Sequence, residues 1–371
     1  LKRKVLILGG YGNFGGRISN ALVQSGIAVI IAGRSLDRAQ SKAAELGELA
    51  DAAQCDVSYS FEPVLEAFNP SVVIHCCGPF QTADYRVAKA CISRKIHYID
   101  LADARDFVCG ISALDSEAKK QNCCVISGAS TVPALSSAVI EHYRKEFSQI
   151  ESLVYGISPG QKSPRGLATT ASILSYLGKA MKPVAGEQKP RYGWQDLYRQ
   201  HYPMLGKRWM ANCDIGDLDL FPTHYGIQQV RFSAGMENSV LHLGIWIVSW
   251  LVRFGFVAKL ENHSRFLLQM SQWFDRFGSD KGGMHMLMHG KNHQGRPHTR
   301  RWFIIAEKGD GPQIPCIPAI ILARNLIASD TILPGARPCV GFITLEEYLA
   351  ELAVHAITVI DTPSSANGAV T

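Results

Sequence analysis

A chain of 371 residues, 47% of them hydrophobic and 19% charged, is long enough for two domains and apolar enough to bury a sizeable core. Its formal charge of +6 is spread along the sequence, with no basic run interleaved with aromatics, which excludes a nucleic-acid-binding strip and suits a protein that takes phosphorylated ligands. Disorder is expected only in the tail after Asp361, rich in Ser, Ala and Gly.

The first 130 residues alternate between two kinds of segment. Lys4 to Leu8 is a short unbroken apolar run, the pattern of a strand buried on both faces. A glycine-rich turn follows, and Arg17 to Ser25 then places Ile18, Ala21, Leu22 and Val23 on one side of a helix that Gly26 ends. Ala28 to Ala32 reads as a second strand, Leu36 to Leu46 as a helix, and Ala50 to Cys55 as a third strand. Phe61 to Phe68 is helical, Ser71 to Cys76 a fourth strand, Tyr85 to Arg94 helical, and His97 to Leu101 a fifth strand. Ser112 to Asn122 reads as one helix, and Cys123 to Ser127 as a sixth strand. This tempo predicts an α/β domain over 1–130, a Rossmann doubly wound parallel sheet with helices on both faces.

After about Thr131 the pattern loosens into an α+β substrate or dimerisation domain. Helices are expected at Leu135 to Phe147, at Thr169 to Met181 and across much of Ser239 to Phe277. Glu151 to Ile157, Gln228 to Ala234 and Thr299 to Glu307 read as strands, with a hairpin bend at Gly309 to Gly311. Pro315 to Ile327 and Thr344 to Val354 read as late helices, and 315–360 is a candidate to pack back on the first domain. Val240 to Val257 approaches the length of a membrane span but holds His242, Ser249 and Arg253. It fits a buried or dimer-interface helix, or one that touches a membrane surface or lines an apolar pocket.

The ten cysteines, including the adjacent pairs Cys76-Cys77 and Cys123-Cys124, have no metal-ligand or redox-motif spacing. A reducing, cytoplasmic protein without a disulfide framework is expected, and the strand from Lys4 leaves no visible signal peptide.

Gly10-Tyr11-Gly12-Asn13-Phe14-Gly15 is G-x-G-x-x-G between a buried strand and a helix, the context that makes it a dinucleotide-binding turn. Gly10 permits the turn, Gly12 admits the pyrophosphate, and Gly15 lets helix and strand approach. The free amides at the helix start then meet the phosphates. The second strand ends Gly33-Arg34-Ser35, with Arg38 a turn on, where an NAD site usually carries an acid for the ribose 2′-hydroxyl. A guanidinium there pairs with a 2′-phosphate, which points to NADP (NADPH) rather than NAD. Asp56-Val57 would lie beside the adenine, and Cys77-Gly78-Pro79 on the loop under the nicotinamide ribose.

These features resemble the saccharopine dehydrogenase-like family. Val72–Phe80 looks like its V-x-N-x-x-G-P-F strand and loop, and His97-Tyr98-Ile99-Asp100 like its H-Y-x-D strand after an Ala-Cys helix at Ala88–Cys91. Gly128–Leu135 is similar to a segment ending Pro-Gly-Leu. The resemblance covers about 1–138 and implies NAD(P)-linked reduction of an imine, carbonyl or enoyl group, with a homodimer formed through the second domain. His75 stands where Asn is common, Ala134 replaces the Gly of Pro-Gly-Leu, and Val132 precedes Pro133 where Asp is frequent. These departures bear on the substrate more than on the cofactor.

Tyr98 and Asp100 share one strand face, so Tyr98 is the candidate proton donor and Asp100 the residue that orients it or binds an amine; a core Tyr beside an Asp that caps the next helix explains them slightly better. In Met284–His289, His285 and His289 would share a helix face, but no acidic or Cys ligand stands near, and core or pocket lining fits the Met-rich run better. Glu237-Asn238 and Asn212 to Asp214 are polar islands that could meet a substrate. No metal site is predicted. The expected activity is NADP-dependent reduction of a small or lipid-like substrate. A non-catalytic NADP sensor and a membrane-peripheral interaction protein are the alternatives.

Overall fold

The computed structural model describes residues 3–184, 189–328 and 332–363; the Ser-, Ala- and Gly-rich tail lies outside them from Ser364 on. The strands in chain order are β1 (Lys4–Leu8), β2 (Ala28–Gly33), β3 (Ala50–Gln54), β4 (Val72–His75), β5 (His97–Asp100), β6 (Cys124–Ser127) and β7 (Gln149–Ser158). They continue as β8 (Tyr198–Tyr202), β9 (Gly206–Asn212), β10 (Gln229–Met236), β11 (Gly282–Lys291), β12 (Pro297–Ala306), β13 (Gly335–Pro338) and β14 (Ile357–Pro363). The chain divides into two compact units, Leu1–Ala138 with Pro312–Glu351, and Val139–Gly311 with Leu352–Thr371. The division is not a single break near residue 130.

The first unit is built on a sheet of order β13-β6-β5-β4-β1-β2-β3, in which every pairing is parallel. Its strands are short β-branched runs because both faces are covered: Val5, Leu6, Ile7 and Val29, Ile30, Ile31 are fully buried. On one face Leu6, Ile30, Val73 and Tyr98 pack with Val64, Leu65, Ala88 and Cys91 from the helices Glu62–Phe68 and Arg86–Ser93. The helix Ile317–Ala328 packs against the helix Asn13–Gln24 and against β4 and β5. Strand order reverses between β1 and β4, which opens the crevice at their carboxyl ends where such sheets bind ligands.

Three expectations change here. Ser112 to Asn122 is a short 3-10 turn, Ile111–Leu114, followed by the helix Asp115–Lys120. A further helix, Arg105–Gly110, precedes it. The seventh strand, β13, carries no strand signal in Gly-Ala-Arg-Pro and exists because β6 offers it an edge.

The second unit holds a mixed sheet of order β14-β12-β11-β7-β10-β9-β8, with β7 and β10 parallel and the other pairings antiparallel. The helices Leu167–Tyr176 and Ser239–Arg253 share a small core with Leu260 and Trp194. Met284–His289 lies on β11, so the helical option for His285 and His289 is overturned. Four steps of strand set them about 13 Å apart, too far to hold one ion together. Gly309–Gly311 is not a hairpin bend either. β12 already pairs with β11 on one side and β14 on the other, and the chain runs on from Gly311 into the helical segment Gly311–Cys316.

Candidate functional site

The turn after β1 is set by close backbone approach. A Cβ on Gly15 would sit 2.2 Å from the Gly9 carbonyl oxygen, and one on Gly10 would sit 2.9 Å from that of Ile7. Gly9 itself has φ +81°, and Cys77 Sγ would lie 3.1 Å from a Cβ there. Gly12 is exposed and would meet only the Gly9 oxygen, at 3.1 Å, so its outer side is open. The helix Asn13–Gln24 starts at Gly12 with no side-chain cap and no acid in its first turn. Its first amides are therefore available to an anion. The Asn13 side chain is held by Arg17, and Phe14 is half-buried.

Tyr11 braces this turn to the end of β2. Its ring lies over Gly33, where a Cβ would fall 2.4 Å from Cε1, and its hydroxyl accepts from the Ser35 amide at 3.0 Å. The Arg38 guanidinium lies over the same ring, 4.5 Å from its centroid. Ser35 caps the next helix by accepting from the Arg38 amide, and Arg34 and Arg38 are both exposed. The glycine turn and the pair of arginines are thus one assembly. Only the role of Tyr11 as brace was not legible in advance, because it depends on the absence of a side chain at Gly33.

Asp56 ends the chain after β3, accepting from the Ser58 amide at 3.0 Å, and Val57 packs on the core. Cys77 is half-buried against Gly9, and Gly78-Pro79 is a cis peptide. Burial pushes the Cys77 thiol up to about 12 and Cys76 well above its usual value, so neither supplies a thiolate.

Tyr98 and Asp100 are brought together with a residue singled out only as a departure, His75. The β4–β5 register sets Val73 beside Tyr98 and His75 beside Asp100, all on one side of the sheet. The Tyr98 hydroxyl and His75 Nδ1 are 3.0 Å apart, and the His75 ring meets Phe80 edge-on. Asp100 Oδ1 accepts from the amides of Ala102 (3.0 Å) and Gly128 (2.8 Å) and from Ser127 Oγ (2.9 Å). It therefore ties the carboxyl end of β5 to that of β6. Tyr98 is 1% exposed, Asp100 0% and His75 5%. Burial lowers His75 to about 4, leaving a neutral ring, and raises Asp100 to about 6 against the pull of hydrogen bonds from Gly128, Ala102, Ser127 and Tyr98. Burial, then the Asp100 charge, holds the Tyr98 hydroxyl well above its usual range. His75 Nε2 has no protein partner.

The polar islands of the second unit are structural. Glu237 accepts from the Gln161 amide and from the amide and hydroxyl of Ser279, and pairs with Arg208 at 3.4 Å. Asn238 caps the helix Ser239–Arg253, and Asn212 donates to Asp196. His285 is fully buried, with Nδ1 2.8 Å from the Tyr202 hydroxyl and Nε2 3.3 Å from that of Tyr198. An open groove lined by Arg3, Asn69, Arg94, Lys95, His97 and Lys120 lies at the amino ends of β4 and β5. That is the edge opposite the phosphate turn.

Residues 5–138 match the family model of the saccharopine dehydrogenase NADP binding domain. Apo saccharopine dehydrogenase (L-Glu forming) from Saccharomyces cerevisiae superposes with a TM-score of 0.65 at 14% identity, over 98% of this chain and 100% of that one. Amine dehydrogenase from Mycobacterium smegmatis aligns over 93% of this chain and 95% of its own, with a TM-score of 0.45 and 12% identity. No curated protein matches the sequence.

Proposed function

We propose, from the match of residues 5–138 to the saccharopine dehydrogenase NADP binding domain model, that the chain is an NADPH-dependent reductase of a small or lipid-like molecule bearing an imine, carbonyl or activated alkene. The observation that carries the reading is the brace at Tyr11. One side chain fixes the glycine turn against a strand end that presents Arg34 and Arg38, with Arg34 rather than an acid directly after the strand and Asp37 in the first turn of the helix beyond. A 2′-phosphate meets cations there, and the amides of the uncapped helix take the pyrophosphate. The open side of Gly12 leaves room for that approach.

When bound, NADPH supplies the hydride. The chain's own work is to hold the pocket's geometry and to place one proton. Tyr98 and Asp100 act at one remove, since neither reaches a solvent-facing surface. Asp100 fixes the ends of β5 and β6 through its three donors. Tyr98 sets the tautomer and tilt of His75 through Nδ1. His75 sits last on β4, beside the reversal in strand order, and its Nε2, like Asp100 Oδ2, is a buried polar atom with no protein partner, left for a ligand contact. Phe80 meets the His75 ring edge-on and is itself backed by Phe107.

The test is a paired fluorescence titration of NADPH and NADH on the wild type and on Arg34→Asp. NADPH is expected to bind at least about tenfold tighter, or about 1.4 kcal/mol, and Arg34→Asp to erase the preference. Absence of binding by either cofactor would overturn the redox reading as a whole.

A further inference from the structure

The second unit carries an outward apolar face on two successive helices. On Ser239–Arg253 and the residue after it, the exposed positions 240, 244, 247, 251 and 254 are Val, Gly, Ile, Leu and Phe. On Ser264–Gln272 and the turn beyond it, Phe266, Met270, Trp273 and Phe277 repeat the same spacing and are all exposed. The usual polarity is inverted, because the buried positions of the first helix include His242 and Ser249. Both helices pack on the same small core through Ile245, Val248, Val252 and Leu267, so the outward stripes lie away from it. Phe256, in the link between them, is 77% exposed and Trp273 is 71% exposed. Isolated exposed apolar residues are ordinary, but outward stripes on two successive helices over one core mark an interaction surface.

Charge identifies the occupant. Lys259, Arg265 and Arg276 are exposed within this stretch. Its two acids are tied inward: Glu261 to Lys179 at 3.8 Å, and Asp275 to Arg165 and to Gln161 at 2.9 Å. Aromatic and aliphatic side chains fringed by cations are complementary to the headgroup layer of an anionic bilayer, where rings insert and basic side chains reach the phosphates. A second copy of the chain is a poorer fit. A two-fold interface would press this basic face against its own image, and like charges oppose that. The helix Ser239–Arg253 is too short to cross, since its 15 residues span about 22 Å. Among the described residues no helix is long and apolar enough to cross a membrane.

We propose that this two-helix face of the second unit docks the protein on a membrane surface rich in anionic lipid. The inference stands apart from the redox reading and survives or fails without it. The full chain is floated with vesicles of phosphatidylcholine alone and of phosphatidylcholine mixed with phosphatidylglycerol, at low and at physiological salt. Two double variants are compared, Phe256→Ser with Trp273→Ser, and Arg265→Glu with Arg276→Glu; all four residues are exposed. Circular dichroism and a sedimentation profile without lipid accompany each. The wild type is expected to float with the anionic vesicles, more so at low salt, and each pair to lower partitioning by about tenfold with the fold intact. Failure to float with anionic vesicles, or flotation that neither pair reduces, overturns the proposal. A dimer in solution that the Phe256→Ser, Trp273→Ser pair dissolves assigns the face to a second copy instead.

Discussion

At the scale of single residues, the buried trio of His75, Tyr98 and Asp100 makes two opposed expectations. If Tyr98 serves to hold His75, Tyr98→Phe strands Nδ1 in a ring whose Nε2 already has no protein partner. Urea unfolding should then register a loss of about 1–3 kcal/mol, with NADPH affinity unchanged. If Tyr98 were the proton donor, reduction would slow by about 10²–10⁴-fold with little change in stability. Asp100 gives a pH signature of unusual sign. Burial raises it to about 6 in the folded protein, against about 3.9 in an unfolded chain. Between those values the folded state keeps a proton that the unfolded state has released, so the contribution of Asp100 to stability falls as pH rises through that window, opposite in sign to that of His75, which is lowered to about 4. Asp100→Asn keeps an oxygen for Ala102, Ser127 and Gly128 and does not titrate. Urea midpoints across that window should show the variant gaining on the wild type by about 2–3 kcal/mol as pH rises, and a constant difference would refute the raised value. Little of this was legible beforehand. Tyr98 and Asp100 stand out as alternate residues of one strand, but His75 joins them only through the β4–β5 register, which no single segment encodes.

Among elements, the phosphate turn is the clearest case of sequence dictating geometry. Gly15→Ala would drive a Cβ to 2.2 Å from a backbone oxygen that has no room to yield. The substitution should cost about 1–3 kcal/mol through forced overpacking and abolish NADPH binding. A variant that binds NADPH normally would show that helix and strand need not meet this closely. Strands β1, β2, β4 and β6 were readable because burial on both faces leaves short, mainly apolar runs, while β3, a mostly exposed edge strand, and β5 were readable by their place in the alternation, with Gly26 and Ser35 as punctuation. Elsewhere the signals fail for identifiable reasons. β8 is Tyr-Arg-Gln-His-Tyr, an edge strand with alternate residues exposed. β11 is Met-rich, and a Met and His pattern suits either period until β7 and β12 flank it. The helix Ser239–Arg253 leaves buried and surface readings open because apolarity all round does not say which side meets protein.

For the whole molecule, what matters is that residues 5–138 match a family model but are not a complete folding unit. The helix Ile317–Ala328 buries Ile317, Ala319, Ile320, Leu322, Ala323 and Leu326, and β13 extends the sheet beyond β6. A fragment of residues 1–138 leaves that side of the sheet bare. It should melt without a cooperative transition and bind a hydrophobic dye. Joining residues 312–351 to it through a flexible linker should restore a sigmoidal melt. A sharp transition in the short fragment would mean that the late segment only decorates a finished domain.

That interleaving has a consequence for synthesis. The 173 residues 139–311 separate the two parts of the first unit, and at roughly 5–20 residues per second they take on the order of ten to thirty-five seconds to emerge. Throughout that interval the nascent sheet has no Ile317–Ala328 helix to cover β4 and β5, so a freshly made chain is adhesive while it waits. A holdase that shields hydrophobic surface on the ribosome should raise the yield of this protein more than that of one whose nucleotide-binding domain closes before the next begins.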